Sequence, residues 1–155
     1  MMTTERFRDL IASITKEIEG CPIDNALEAD LNGKYPPTSP TFLKIVAACQ
    51  DAVTAGWMCE REAGGIKYGR VIKPGPETHG FSVDVVEMEN VKGPHHRHPN
   101  CEIDMIMPID GDAQFDSRGA GWLVYGPNSA HSPTVSKGKA LVLYLLPGGA
   151  IEFTK

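Results

Sequence analysis

No run of apolar residues in this 155-residue chain approaches the roughly 20 that a membrane-spanning helix requires. Clustered positive charge is missing too: 15 Lys and Arg stand against 20 Asp and Glu, the formal net charge is −5, and no block of five basic residues occurs. Nucleic-acid binding draws most of its affinity from phosphate contacts, so no DNA or RNA partner is expected, and no membrane. The opening stretch MMTTERFRDLIASITKEIEG sets acids among its apolar positions and lacks the basic, apolar and small-residue succession of a secretion signal. Cys21, Cys49, Cys59 and Cys101 include no C-x-x-C pair. That spacing argues against a zinc knuckle or redox couple and for reduced thiols in a cytoplasmic protein. Internal repeats and low-complexity segments are absent, and the length suits one domain.

What is present divides at about residue 56. Phe7, Leu10, Ile11, Ile14 and Ile18 recur at helical spacing, with Thr3 or Thr4 placed to cap the start and Gly20 to end it. A second helix is predicted over Asn25 to Leu31, where Asn25 and Glu28 have capping-box spacing and the Asn32-Gly33 pair acts as a stop. After the rigid YPPTSP linker, Ser39-Pro40 opens a third helix whose stripe is Phe42, Ile45, Val46, Cys49 and Val53, ending near Gly56. These stripes read as core-facing. From Trp57 onward short extended runs alternate with Gly, Pro and Asn, the pattern of an all-β sandwich or barrel. Strands are predicted near 57–62, 66–73, 80–89, 101–108, 112–117, 121–126, 139–146 and 150–153, with Gly64-Gly65 as a hairpin turn. The chain is thus expected to be one mainly β domain, 57–155, carrying a helical region, 1–56.

The stretch GPHHRHPNCEIDMIMPIDG, Gly93 to Gly111, holds the densest chemistry. Strand alternation puts His96, His98 and, by parity, Glu102 on one face. A straight strand would leave Glu102 about 13 Å from His98, at roughly 3.3 Å per residue. Pro99-Asn100 can fold the chain back and close that gap. Two imidazoles and a carboxylate with positions left open suit iron(II), manganese, zinc or nickel. Further on, in VYGPNSAHSPTV, a Gly-Pro-Asn turn delivers a fourth candidate, His131. His95 and Arg97 have the opposite parity and are poorer candidates. The bland alternative for HHRH is an exposed loop of ordinary histidines. Asp104 shares the Glu102 face and is a candidate acid or base. Ile103, Met105 and Met107 face the other way, against another sheet, the N-terminal helices or a second subunit. Pocket walls could come from Tyr125, Tyr144, Trp122 and Phe81, although such residues are more often core. Arg70 could pair with a substrate carboxylate through its planar fork.

These motifs resemble the cupin superfamily. Gly93, His96, His98, Glu102 and Gly111 match its first motif. Gly126 through His131 match the second only in part, with Gly126 where proline is usual, Asn128 where glycine is usual and Val135 where asparagine is usual. The resemblance implies a cupin-type β-barrel, a double-stranded β-helix, with a divalent metal, iron(II), manganese or zinc, on His96, His98, Glu102 and His131. Over nearly its full length the chain is also similar to the 4-hydroxylaminobenzoate lyase family of nitroaromatic degradation. That similarity implies conversion of a small aromatic carboxylate, 4-hydroxylaminobenzoate, to 3,4-dihydroxybenzoate with loss of ammonia, by a cytoplasmic homo-oligomer. In such an enzyme Glu102 and Asp104 would move protons, and Arg70 and Tyr125 would bind substrate. A cupin dioxygenase or isomerase acting on another small acid, or a non-catalytic small-molecule sensor, are the alternatives.

Overall fold

Helix α1 (Thr4–Ile18) turns Phe7, Ile11, Ile14 and Ile18 to the interior, and the Thr3 hydroxyl caps it by accepting the Arg6 amide at 3.1 Å. The computed structural model describes residues 2–154. Helix α2 (Asn25–Lys34) departs from expectation at both ends. Asp24, not Asn25, is its cap, accepting the Leu27 amide, and the helix runs through Asn32-Gly33 to Lys34. Asn32 does not stop the helix because a distant strand engages its side chain: Oδ1 accepts the Trp122 amide at 2.8 Å and Nδ2 donates to the Trp122 carbonyl at 2.9 Å. Helix α3 (Pro40–Ala55) begins at the Ser39 cap and closes on Gly56, left-handed at φ 88°.

Among the described residues nine strands follow: β1 (Arg61–Ala63), β2 (Ile66–Ile72), β3 (Phe81–Lys92), β4 (His96–His98), β5 (Glu102–Phe115), β6 (Gly121–Tyr125), β7 (Ser129–His131), β8 (Thr134–Pro147) and β9 (Glu152–Phe153). They form a six-stranded antiparallel sheet, ordered β1-β2-β3-β8-β5-β6, and a three-stranded one, ordered β7-β4-β9. Two sheets thus stand where a closed barrel was expected, an arrangement that fits a cupin-type jelly roll. The predicted strand near 57–62 begins only at Arg61, and β8 starts at Thr134, five residues before the predicted 139.

The separate strands predicted at 101–108 and 112–117 are one strand, β5, which pairs along its length with β8 and absorbs the break as two register shifts. Gly138 makes this possible. It lies at φ 143°, and a Cβ there would stand 2.1 Å from the Asp110 carbonyl oxygen.

Alternation along β5 divides the core. Ile103, Met105 and Met107 pack with Phe7, Ile11 and Phe42 beneath the helices, each such side chain contributing about 1.5–3 kcal/mol on burial. The helices therefore cover the methionine face, and that face needs no second subunit. Ile106 joins Met88, Phe115, Val142 and Tyr144 on the opposite side, and Glu102 and Asp104 share its parity. Phe81 and Trp122, proposed as pocket walls, belong to the helix-side core.

Candidate metal and active site

Strand β4 places His96 and His98 on one face, and β7 runs antiparallel beside it with His131 directly opposite His96. The chain then reverses into β5. The left-handed residue in that reversal is Cys101, at φ 79°, rather than Asn100. The turn brings Glu102 Oε1 to 3.1 Å from His98 Nε2, where a straight strand would have left it out of reach. His131 Nε2 lies 3.0 Å from His98 Nε2 and 3.5 Å from Glu102 Oε2. One ligand atom from each of His96, His98, Glu102 and His131 falls within 4.8 Å of the others. Gly93, which leads into this segment, lies against Pro133, where a Cβ would come within 2.9 Å of the ring.

Hydrogen bonds orient the rings. A backbone carbonyl only accepts, so His96 Nδ1, 3.2 Å from the Pro94 oxygen, carries the proton and leaves its lone pair on Nε2. His131 Nδ1 faces Asp116 Oδ2 at 2.6 Å, which turns its Nε2 lone pair to the centre in the neutral form. His96 Nε2 and Glu102 Oε2 are buried with no hydrogen-bond partner among the described residues. Converging lone pairs in a dry site are costly unless a cation satisfies them. The four side chains therefore fit a divalent metal.

The electrostatics divide the cluster. Burial, reinforced by the neighbouring imidazoles, lowers both His96 and His98 to about 4. Burial also pulls His131 down, but Asp116 and Glu102 outweigh it and raise the ring to about 9. For Asp116 burial works upward, and the bonds from His131, Tyr125 and the Thr134 amide hold it below the usual carboxylate range. Asp104 is fully buried, and burial followed by the nearby Glu102 charge pushes it well above that range.

Asp116 is the functional residue that sequence reasoning missed. Its Oδ2 accepts from Tyr125 Oη and lies against His131 Nδ1, both at 2.6 Å, and its Oδ1 accepts the Thr134 amide at 2.9 Å. Its only local signal is a turn, with Asp116 and Ser117 both left-handed before Arg118-Gly119.

A cavity of about 310 Å³ opens beside the cluster. His96 and Glu102 form part of its wall, and Ile66, Val86, Met88, Tyr144 and Leu146 give it an apolar body. Its size lies at the small end of ligand pockets. Arg70 lines it, but its fork is closed on Asp84, with Nε to Oδ1 at 2.8 Å and Nη2 to Oδ2 at 3.2 Å, and Nη2 also reaches the Gly149 carbonyl at 3.1 Å. Tyr125 and Asp104 do not line the cavity. Tyr125 instead stacks on His98, with ring centroids 6.4 Å apart, and Asp104 follows Glu102 two positions on along the same strand face. His95 bonds to Thr154, and Arg97 to Glu152 and Asn128, away from the centre. Phe153 stands edge-on to His96, 5.7 Å between centroids, at the cavity rim.

A family model described as PnbB: 4-hydroxylaminobenzoate lyase matches residues 9–153. A 4-hydroxylaminobenzoate lyase of Pseudomonas putida is 33% identical over 144 residues, 82% of each chain. Another, from Nocardioides sp. (strain LMS-CY), is 30% identical over 162 aligned positions, covering 99% of this chain and 96% of that one. Among solved structures, an RmlC-like cupin protein from Ralstonia eutropha JMP134 aligns with 60% of this chain and 62% of its own at a TM-score of 0.45 and 12% identity.

Proposed function

The chain belongs to the 4-hydroxylaminobenzoate lyase family, and on that premise we propose that it converts 4-hydroxylaminobenzoate and water into 3,4-dihydroxybenzoate and ammonia. The observation that carries the reading at the site is a small apolar cavity ending on His96 and Glu102, two members of a buried four-ligand cluster. The reaction is redox-neutral. The N–O bond breaks and its electron pair leaves with the hydroxyl as water. Oxygen from water bonds to the adjacent ring carbon, and hydrolysis of the imine exchanges nitrogen for a second oxygen. One water is consumed overall, with no outside oxidant.

Such a path needs an acid for the departing hydroxyl, a base for the incoming water and a dry bed for the ring. Ile66, Val86, Met88 and Leu146 supply the bed. Glu102 is the cavity-wall carboxylate within the ligand cluster, and Asp104, on the same strand face with its pKa pushed up by burial, is the proton source. Tyr125 acts through Asp116 to hold the His131 ring rather than on the substrate. His96, His98, Glu102 and His131 would hold a divalent metal, for which the three-imidazole, one-carboxylate set suits iron(II), manganese or zinc, and which would supply Lewis acidity there. The four cysteines are free thiols, which agrees with a reducing, cytoplasmic setting.

The test is to incubate metal-stripped protein with 4-hydroxylaminobenzoate under strict anaerobiosis, restore iron(II), manganese or zinc singly, and follow ammonia and dihydroxybenzoate. Oxygen-independent release that returns with one metal is the expected result. Turnover that stops without dioxygen would point to an oxygenase instead. In the same assay Asp104→Asn should lose most of its rate; activity within a few-fold of wild type in a folded variant removes Asp104 from the proton path.

A further inference from the structure

The cavity contains two guanidinium groups, and the one suggested by sequence is already occupied. Its charged lining consists of Arg61, Arg70, Asp84 and Glu102. Arg70 and Asp84 cancel through two hydrogen bonds, and Glu102 is committed to His98 and His131. The Arg61 side chain, exposed to solvent, makes no hydrogen bond or ion pair with any described residue. One side-chain positive charge without a partner among the described residues therefore stands on the solvent-exposed edge of the cavity wall.

Register explains why Arg61 points there. It is the direct cross-strand partner of Tyr68, and directly opposed residues share a sheet face. Tyr68 in turn opposes Val86, and Arg70 opposes Asp84, two positions further along the same faces of β2 and β3. All five residues line the cavity. The short strand β1, closed by the Gly64-Gly65 turn, thus carries a cation along the same wall as the apolar bed.

We propose that Arg61, rather than Arg70, is the anchor and specificity determinant for the substrate carboxylate, with Arg70 and Asp84 forming a rigid neutral wall. This rests on the lyase reading for the identity of the acid, but the charge argument holds for any small aromatic carboxylate. A carboxylate approaching Arg70 must break its bonds to Asp84 and meet that residue's negative charge. At Arg61 it displaces only water. The free fork offers two parallel N–H donors to a carboxylate.

Calorimetric titration of the purified protein with 3,4-dihydroxybenzoate and with 3,4-dihydroxybenzamide tests this, together with kcat and KM on 4-hydroxylaminobenzoate. Arg61→Met is expected to weaken the acid about tenfold and raise KM to match, with kcat nearly unchanged, as loss of one charge-assisted contact predicts. The amide should bind wild type and Arg61→Met alike, and Arg61→Lys should recover part of the acid's affinity. Unchanged acid affinity in Arg61→Met overturns the proposal, as does an equal loss for acid and amide or a wild type that binds neither. Weakened acid binding in Arg61→Met beside a wild type that releases no ammonia keeps the anchor and removes the lyase reading. Ammonia release with an unaltered KM in Arg61→Met removes the anchor alone.

Discussion

Asp116 accepts from a phenol, an imidazole and a backbone amide, and through the imidazole it sets where the His131 lone pair points. Losing that second contact leaves the ring free to rotate and less basic at Nε2. Asp116→Asn is therefore expected to weaken metal affinity about 10–100-fold, measured by competition with a chelator, while the fold persists. An unchanged affinity would show that His131 is positioned without it. The four candidate ligands were legible at this scale, His96, His98 and Glu102 from residue type and parity, and His131 from the turn before it and the family resemblance. Asp116 was not, because a carboxylate in an Asp-Ser-Arg-Gly turn looks like ordinary turn chemistry until the fold sets it beside a histidine 15 residues away. Arg70 was the opposite case. A strand arginine reads as available, and only the register of β2 on β3 reveals that Asp84 already holds it.

At the level of elements, β5 joins what local sequence divides. Pro108, Asp110 and Gly111 look like a break, yet β8 pairs with both halves, and the mismatch is taken up in two register shifts. A Cβ at Gly138 would run into the Asp110 backbone, so Gly138→Ala should destabilise the protein by about 1–3 kcal/mol through strain, read as a lower urea midpoint. A midpoint equal to wild type would mean that the crossing relaxes freely. Helix α2 has a comparable tertiary role. Glu28, picked out by its capping-box spacing, instead accepts the Val124 amide on the open edge of β6 and pairs with Arg118, so the helix covers a sheet edge that would otherwise expose its donors.

For the whole molecule, the cluster ties stability to pH and metal. In the stripped protein the His131 pKa, raised to about 9 from 6.5, means that its protonated form contributes stability fully below about 6.5, and that this is lost as pH rises through about 9. The melting-temperature advantage of stripped wild type over stripped His131→Gln should therefore shrink across that window. A gap that stays constant would sink the assignment. His96 and His98 act in the opposite sense, since their folded pKa of about 4 makes stability fall as pH drops from 6.5 toward 4. Metal uptake near neutral pH must expel the His131 proton, so binding should release acid.

The sequence by itself determined the helical and extended segments, the core stripes and the His96, His98 and Glu102 pattern, because each depends on periodicity or on residue types a few positions apart, while His131 joined the candidates through its turn and the family resemblance. Tertiary structure alone decided that the helices cover the methionine face, that Asp116 orients His131, and that Arg61, with no side-chain partner among the described residues, lies on the cavity wall. Each of these depends on which distant strands become neighbours. Strand register and loop closure govern that choice, and no local pattern in the chain encodes it.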